Sequence, residues 1–272
     1  MNKYSLGWLP DVPDARDLMY SAPIKILKKL PETVDLRKNI SLGIFDQGRL
    51  GSCVGNATSA AVVYQAKNQK KDIKHPSRLA IYYGAREIIG KTAYDSGCYI
   101  RDAFKVLAKN GSADESLWPY KISNFTKKPS DNYFITAEKM QAIKYERVSN
   151  KLDQLKASLS EGTPIVFGFS VYESLDTYSA SNGVVHMPLL KDRMLGGHAV
   201  IAVGYTNDIK KVHSSGSKLK LSKDDKSHSD WFIVRNSWGE SWGDKGFCYF
   251  PAAYLTNNNL SDDFWRLLLI EQ

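Results

Sequence analysis

Gln47-Gly48-Arg49-Leu50-Gly51-Ser52-Cys53 runs a glycine-containing loop into a cysteine, and the residues after Cys53 carry a helical pattern. Ser52 is a favourable N-cap residue, and Val54, Ala57, Ala61 and Tyr64 recur at helical spacing until polar Asn68 and Gln69. Cys53 is therefore expected in the first turn of a helix, where unpaired backbone N–H groups supply a partial positive field that favours a thiolate. A nucleophilic thiol also needs a base and a donor for the oxyanion that develops during acyl transfer. Gln47, with the Gly-containing loop free to curl back, can offer its side-chain amide beside the backbone N–H of Cys53.

Two later motifs supply the remaining parts. Gly196-Gly197-His198-Ala199-Val200 opens an apolar strand on a histidine, and Asn236-Ser237-Trp238-Gly239 comes after a second apolar run. His198 can hold its proton against the thiolate and return it to a leaving amine. Asn236 can accept from one ring nitrogen and leave the other facing sulfur, with Trp238 covering that bond. His75, His213 and His228 lie in polar sequence. A histidine at a strand start is by itself more often structural; the ordered company of Gln47, Cys53, His198 and Asn236 is what points to acyl transfer.

These residues resemble the signatures of the papain-like cysteine peptidases: Gln-Gly-x-x-Gly-Ser-Cys, a His-Ala-Val strand and Asn-Ser-Trp-Gly-x-x-Trp-Gly. Leu30 to Arg37 is similar to the family's mature N-terminal strand, and Trp118-Pro119-Tyr120 is a further likeness, so the resemblance spans about residue 30 to the C-terminus. It implies Cys53 as nucleophile, His198 as general acid/base, Asn236 as the residue orienting it and Gln47 as oxyanion donor. Leu50 replaces a common disulfide cysteine, Val54 an aromatic residue, and Gly197 an aspartate present in some relatives. Gly97 and Cys98 align with a glycine pair that binds substrate backbone in the family, with Trp238 nearby on the expected cleft; plain loop packing is the alternative for Gly97 and Cys98. Only about thirty residues precede the mature-like start, where relatives carry a long inhibitory propeptide. Residues 1–30 are expected to brace the β-rich part, with a lid over the cleft as the alternative.

The remaining sequence suits an α+β, two-lobed fold. Helices are expected over Ser77 to Ile89, Ile100 to Lys109 and between Lys151 and Gly162. Apolar, β-rich runs start at Pro164, Ala199, Trp231, Phe247 and Phe264. This divides the chain into an extension (1–30), a mainly helical lobe with the nucleophile (31–117) and a β-barrel-like lobe with His198 and Asn236 (118–272). The polar 207–230 segment reads as a mobile excursion. Three cysteines permit at most one disulfide. No metal-ligand spacing is present and no cofactor is required. The net charge of +8 comes from scattered Lys and Arg, which argues against a nucleic-acid interface. No apolar run is long enough to cross a membrane. A monomer acting on polypeptide, and open to a protein inhibitor, is expected, with secretion marginally preferred to the cytoplasm. The alternatives are a catalytically silent homologue that binds peptides or inhibitors, or an acyltransferase.

Overall fold

The computed structural model describes residues 4–175 and 179–271. The helical part consists of α2 (Cys53–Asn68), α3 (Arg78–Ile88) and α4 (Ile100–Lys109). Ser77 caps α3 by accepting from the Ala80 amide. Helix α2 is buried on every side over Cys53–Val62, a central helix rather than an amphipathic surface one. Its polar residues are matched: Ser59 donates to the Pro76 carbonyl at 2.8 Å and Asn56 accepts from Arg78 at 3.1 Å. Arg78 is also held by both Glu115 oxygens, at 2.8 and 2.7 Å, so one guanidinium ties α2, α3 and the loop after α4 together.

The sheet is built from β1 (Thr33–Asp35), β2 (Gln141–Arg147), β3 (Ile165–Tyr172), β4 (Met194–Thr206), β5 (Trp231–Arg235), β6 (Phe247–Pro251) and β7 (Ser261–Glu271). Its order is β2-β7-β3-β4-β5-β6, all antiparallel, with β1 added to the far end of β4. The sheet is open, with β2 and β6 as its edges, so the expected barrel-like lobe does not close. Phe167, Phe169, Phe250 and Tyr254 pack edge to face or tilted beneath it, with Tyr254 on the short α7 (Ala252–Leu255). Helices α5 (Asp131–Ala137) and α6 (Leu152–Ser160) flank β2 in sequence.

The extension does two things. Residues 18–27 brace the sheet side as expected: Met19 bridges Arg147 of β2, Gln154 of α6 accepts the Ala22 amide at 2.8 Å, and α1 (Ile24–Leu27) lies against α6. Residues 4–11 do something else and cross between the helical and sheet parts. The 207–230 segment, expected as an excursion, folds into short 3-10 turns that bury Ile209, His213, Leu219 and Asp225.

Candidate active site

Cys53 is the first residue of α2 and fully buried. Ser52 occupies the cap position but does not cap; its hydroxyl bonds Tyr120 and accepts from Asn56 at 3.1 Å. The first-turn amides are thereby left to whatever sits over the helix end. The β3–β4 register places His198 opposite Phe169. Asn236 comes directly after β5, and its Oδ1 lies 2.8 Å from His198 Nε2. That bond puts the proton on Nε2 and leaves Nδ1 as the acceptor, buried and, among the described residues, without a hydrogen-bond partner. Trp238 covers the pair, its ring 4.6 Å from the imidazole and nearly parallel to it. The backbone amide of Ala199, the residue after His198, acts on the Cys53 sulfur, and α2 packs against β4, so the nucleophile candidate and the strand that carries His198 come together.

Gln47 is equally fixed. Its amide nitrogen donates to Leu50 O at 3.0 Å, its backbone N–H donates to Ser237 O at 2.9 Å and its Oε1 accepts from the Ser237 hydroxyl at 2.7 Å. Ser237, between Asn236 and Trp238, is a residue that sequence reasoning misses; it joins the loop carrying Gln47 to the loop carrying Asn236.

Residues 4–11 form a strap over these groups. The Ser5 carbonyl accepts from Gln47 Nε2 at 2.9 Å. Gly7 passes between Gly51 and Gly97: a Cβ on Gly7 would lie 1.8 Å from Gly51 O, and one on Gly97 would lie 2.4 Å from Gly7 O. Asp95 and Tyr82 hold both walls of this slot, because Asp95 accepts from Gly51 N at 3.0 Å and from Tyr82 OH at 2.5 Å, and Tyr82 OH accepts from Gly97 N at 3.1 Å. The Cys98 backbone donates to Gly7 O at 2.9 Å and accepts from Leu9 N at 3.1 Å, and Trp8 N donates to Gly197 O at 3.1 Å. Tyr4 stacks on Trp238 at 5.0 Å and donates to its carbonyl at 2.7 Å. Gly97, Cys98 and Trp238 thus all contact a peptide, and that peptide is the chain's own. Cys98 offers its backbone while its thiol stays buried, and all three cysteines are free. The preference for a brace over a lid in residues 1–30 is corrected: residues 18–27 brace, and residues 4–11 cover the site. No local signal marks the strap, since its fit depends on glycines at 51, 97, 168 and 197.

Under this cover the electrostatics favour neutral partners. Burial pushes the Cys53 thiol up to about 11, although the amides of Ala199, Gly7, Val54 and Cys53 itself pull it down. Burial lowers His198 to about 4, against the raising effect of Asn236. Between those values the thiol and the imidazole are both neutral.

A Cys, His and Asn arrangement at the junction of a central helix and an antiparallel sheet defines the thiol peptidase class. The family model described as "Papain family cysteine protease" matches residues 30–261, and the chain belongs to that family. Xylellain, a cysteine protease from Xylella fastidiosa, superposes with a TM-score of 0.86 at 36% identity, covering 97% of this chain and 96% of that one. An uncharacterised peptidase C1-like protein of Acanthamoeba polyphaga mimivirus is 32% identical over 96% of this chain and 86% of its own length. Mouse cathepsin K is 27% identical over 80% of this chain and 59% of its own. Among the described residues no helix is long and apolar enough to cross a membrane, and no group of acidic, His and Cys side chains is placed to hold a metal ion.

Proposed function

We propose that this papain-family cysteine peptidase cleaves peptide bonds inside extended polypeptides and is held latent by residues 4–11 of its own chain. With the strap displaced, solvent and substrate reach Cys53 and His198, and the burial that opposes the ion pair is relieved. The thiol proton passes to His198 Nδ1 as sulfur attacks the scissile carbonyl. Gln47 Nε2 and the Cys53 amide receive the oxyanion. As the tetrahedral species collapses, the imidazolium gives its proton to the leaving amine and a thioester remains on Cys53. His198 then deprotonates water, which releases the acid and the free thiol. Asn236 keeps the ring in register, and Trp238 excludes water from the His198–Asn236 bond.

The observation that carries this reading is the Ser5 carbonyl on Gln47 Nε2. A peptide carbonyl already occupies the proposed oxyanion donor, so the groove accepts extended backbone. The test is acid quench of the chain lacking residues 1–10 during turnover of a peptide ester, with the products read by mass spectrometry. An acyl adduct on Cys53 that decays to the free acid is expected. No adduct means a silent homologue, and an adduct passed to an amine in preference to water means an acyltransferase.

A further inference from the structure

Tyr120, which ends the Trp118-Pro119-Tyr120 run, has no part in the reaction above, yet its phenol sits between the two segments that supply the oxyanion donors. It donates to the Gln47 carbonyl at 3.0 Å and bonds the Ser52 hydroxyl. A phenol has a single proton and a carbonyl can only accept, so Ser52 is the donor in the second bond. Ser52 immediately precedes Cys53. One oxygen therefore ties the residue carrying the Nε2 donor to the residue beside the Cys53 amide.

The bridge has a fixed polarity. Glu115 holds Arg78, Arg78 donates to Asn56 Oδ1 at 3.1 Å, Asn56 Nδ2 donates to Ser52 Oγ at 3.1 Å, Ser52 donates to Tyr120, and Tyr120 donates to Gln47. Every proton from the guanidinium to Gln47 points the same way, an arrangement in which each bond polarises the next. The Arg78 guanidinium also lies between two rings, 4.3 Å from that of Phe45 and 4.2 Å from that of Tyr120, so it backs both the phenol and the approach to Gln47. Burial pushes the Tyr120 phenol up to about 12, which keeps its proton in place through neutral pH. The segment carrying Tyr120 is anchored in turn by the Ser77 hydroxyl, which donates to the Trp118 carbonyl at 2.6 Å.

We propose that Tyr120 is a positioning residue for acyl transfer: by bridging Gln47 to Ser52 it sets the spacing of the two groups that receive the oxyanion. The inference rests on the peptidase reading above. Such a brace is needed because the direct path between the donors is Gly48-Arg49-Leu50-Gly51, two glycines in four residues, with Gly48 at a φ of 58°. Ser237 ties Gln47 to the loop carrying Asn236, whereas Tyr120 ties it to the head of α2. Removing the phenol oxygen leaves the ring against Arg78 and deletes only the bridge. The oxyanion exists only at and after the transition state, so the loss falls on kcat and not on KM. Tyr120 acts through Gln47 and Ser52, with no atom of its own in the reaction.

The test is steady-state hydrolysis of a fluorogenic peptide by the full chain, compared across wild type, Tyr120→Phe, Gln47→Ala and the double variant. Tyr120→Phe is expected to lower kcat by about tenfold with KM unchanged. A loosened strap would show instead as a lower KM, because strap and substrate compete for one groove. In the Gln47→Ala background Tyr120→Phe is expected to lower kcat by less than about twofold, since the group it positions is gone. A purely structural role costs the same in both backgrounds. Should Tyr120→Phe fail to fold, Ser52→Ala cuts the bridge at its other end and carries the same two expectations. Full kcat in Tyr120→Phe, or equal losses with and without the Gln47 side chain, overturns the proposal alone. No hydrolysis by the wild type, with or without residues 1–10, overturns the peptidase reading and this inference with it.

Discussion

Gly7→Ala adds a single methyl group to a residue that neither binds substrate nor takes part in the chemistry. That methyl would stand 1.8 Å from Gly51 O, 2.4 Å from its carbonyl carbon and 2.7 Å from its Cα. All three are backbone atoms, and the Gly51 amide is fixed by Asp95, so the wall cannot swing aside as a flexible side chain would. The strap must lift. Overpacking of this kind costs about 1–3 kcal/mol, and at ~1.36 kcal/mol per factor of ten the open fraction rises about five- to 150-fold. The assay is second-order alkylation of Cys53 by iodoacetamide at neutral pH, located by mass spectrometry, beside turnover of a peptide substrate. Both rates are expected to rise by the same factor, because both report the same opening. An unchanged labelling rate in a folded Gly7→Ala protein would refute the idea that the Gly51–Gly97 slot closes the site.

Two further perturbations probe the anchor and the chemistry. Burial and the neighbouring Asp263 raise Asp11 from 3.8 to about 7, against the Trp265 indole, Arg101 and Arg147, which lower it; Asp17 and Asp262 complete this acidic cluster through Arg147. Because the docked carboxyl binds its proton more tightly than the free one, docking support is complete below about 3.8 and is lost as pH rises through about 7. Opening of the full chain should therefore increase across neutral pH, measured as the labelling ratio of full to truncated chain, and Asp11→Asn should flatten that step. Gln47→Ala in the truncated chain should lower kcat by about 10²–10³ with little change in KM, as loss of an oxyanion donor does; an equal loss confined to KM would assign Gln47 to substrate binding instead.

Much of this is legible in the residues themselves. Helices α2, α3 and α4 emerge from apolar spacing and the capping position of Ser77, and β3 to β7 from runs of Val, Ile and Phe. Strand β2 is not apparent from sequence: Gln-Ala-Ile-Lys-Tyr-Glu-Arg mixes charge into an edge, and its pairing with β7 is irregular. Ser52 occupies the expected cap position yet turns its hydroxyl to Tyr120, because the loop packs there and the helix end faces the strap. The site motifs are legible because their chemistry is local and ordered. The strap is not, because Tyr4, Gly7 and Trp8 acquire meaning only from partners at Gly51, Gly97, Gly168, Trp238 and Asp263, all distant in sequence.

The most direct measurement compares hydrolysis of one fluorogenic peptide by the full chain, by the chain lacking residues 1–10, and by Cys53→Ala in that shortened chain. The account predicts slow turnover by the first, fast turnover by the second and none by the third. Equal rates for the first two, or hydrolysis surviving loss of the Cys53 sulfur, would contradict it.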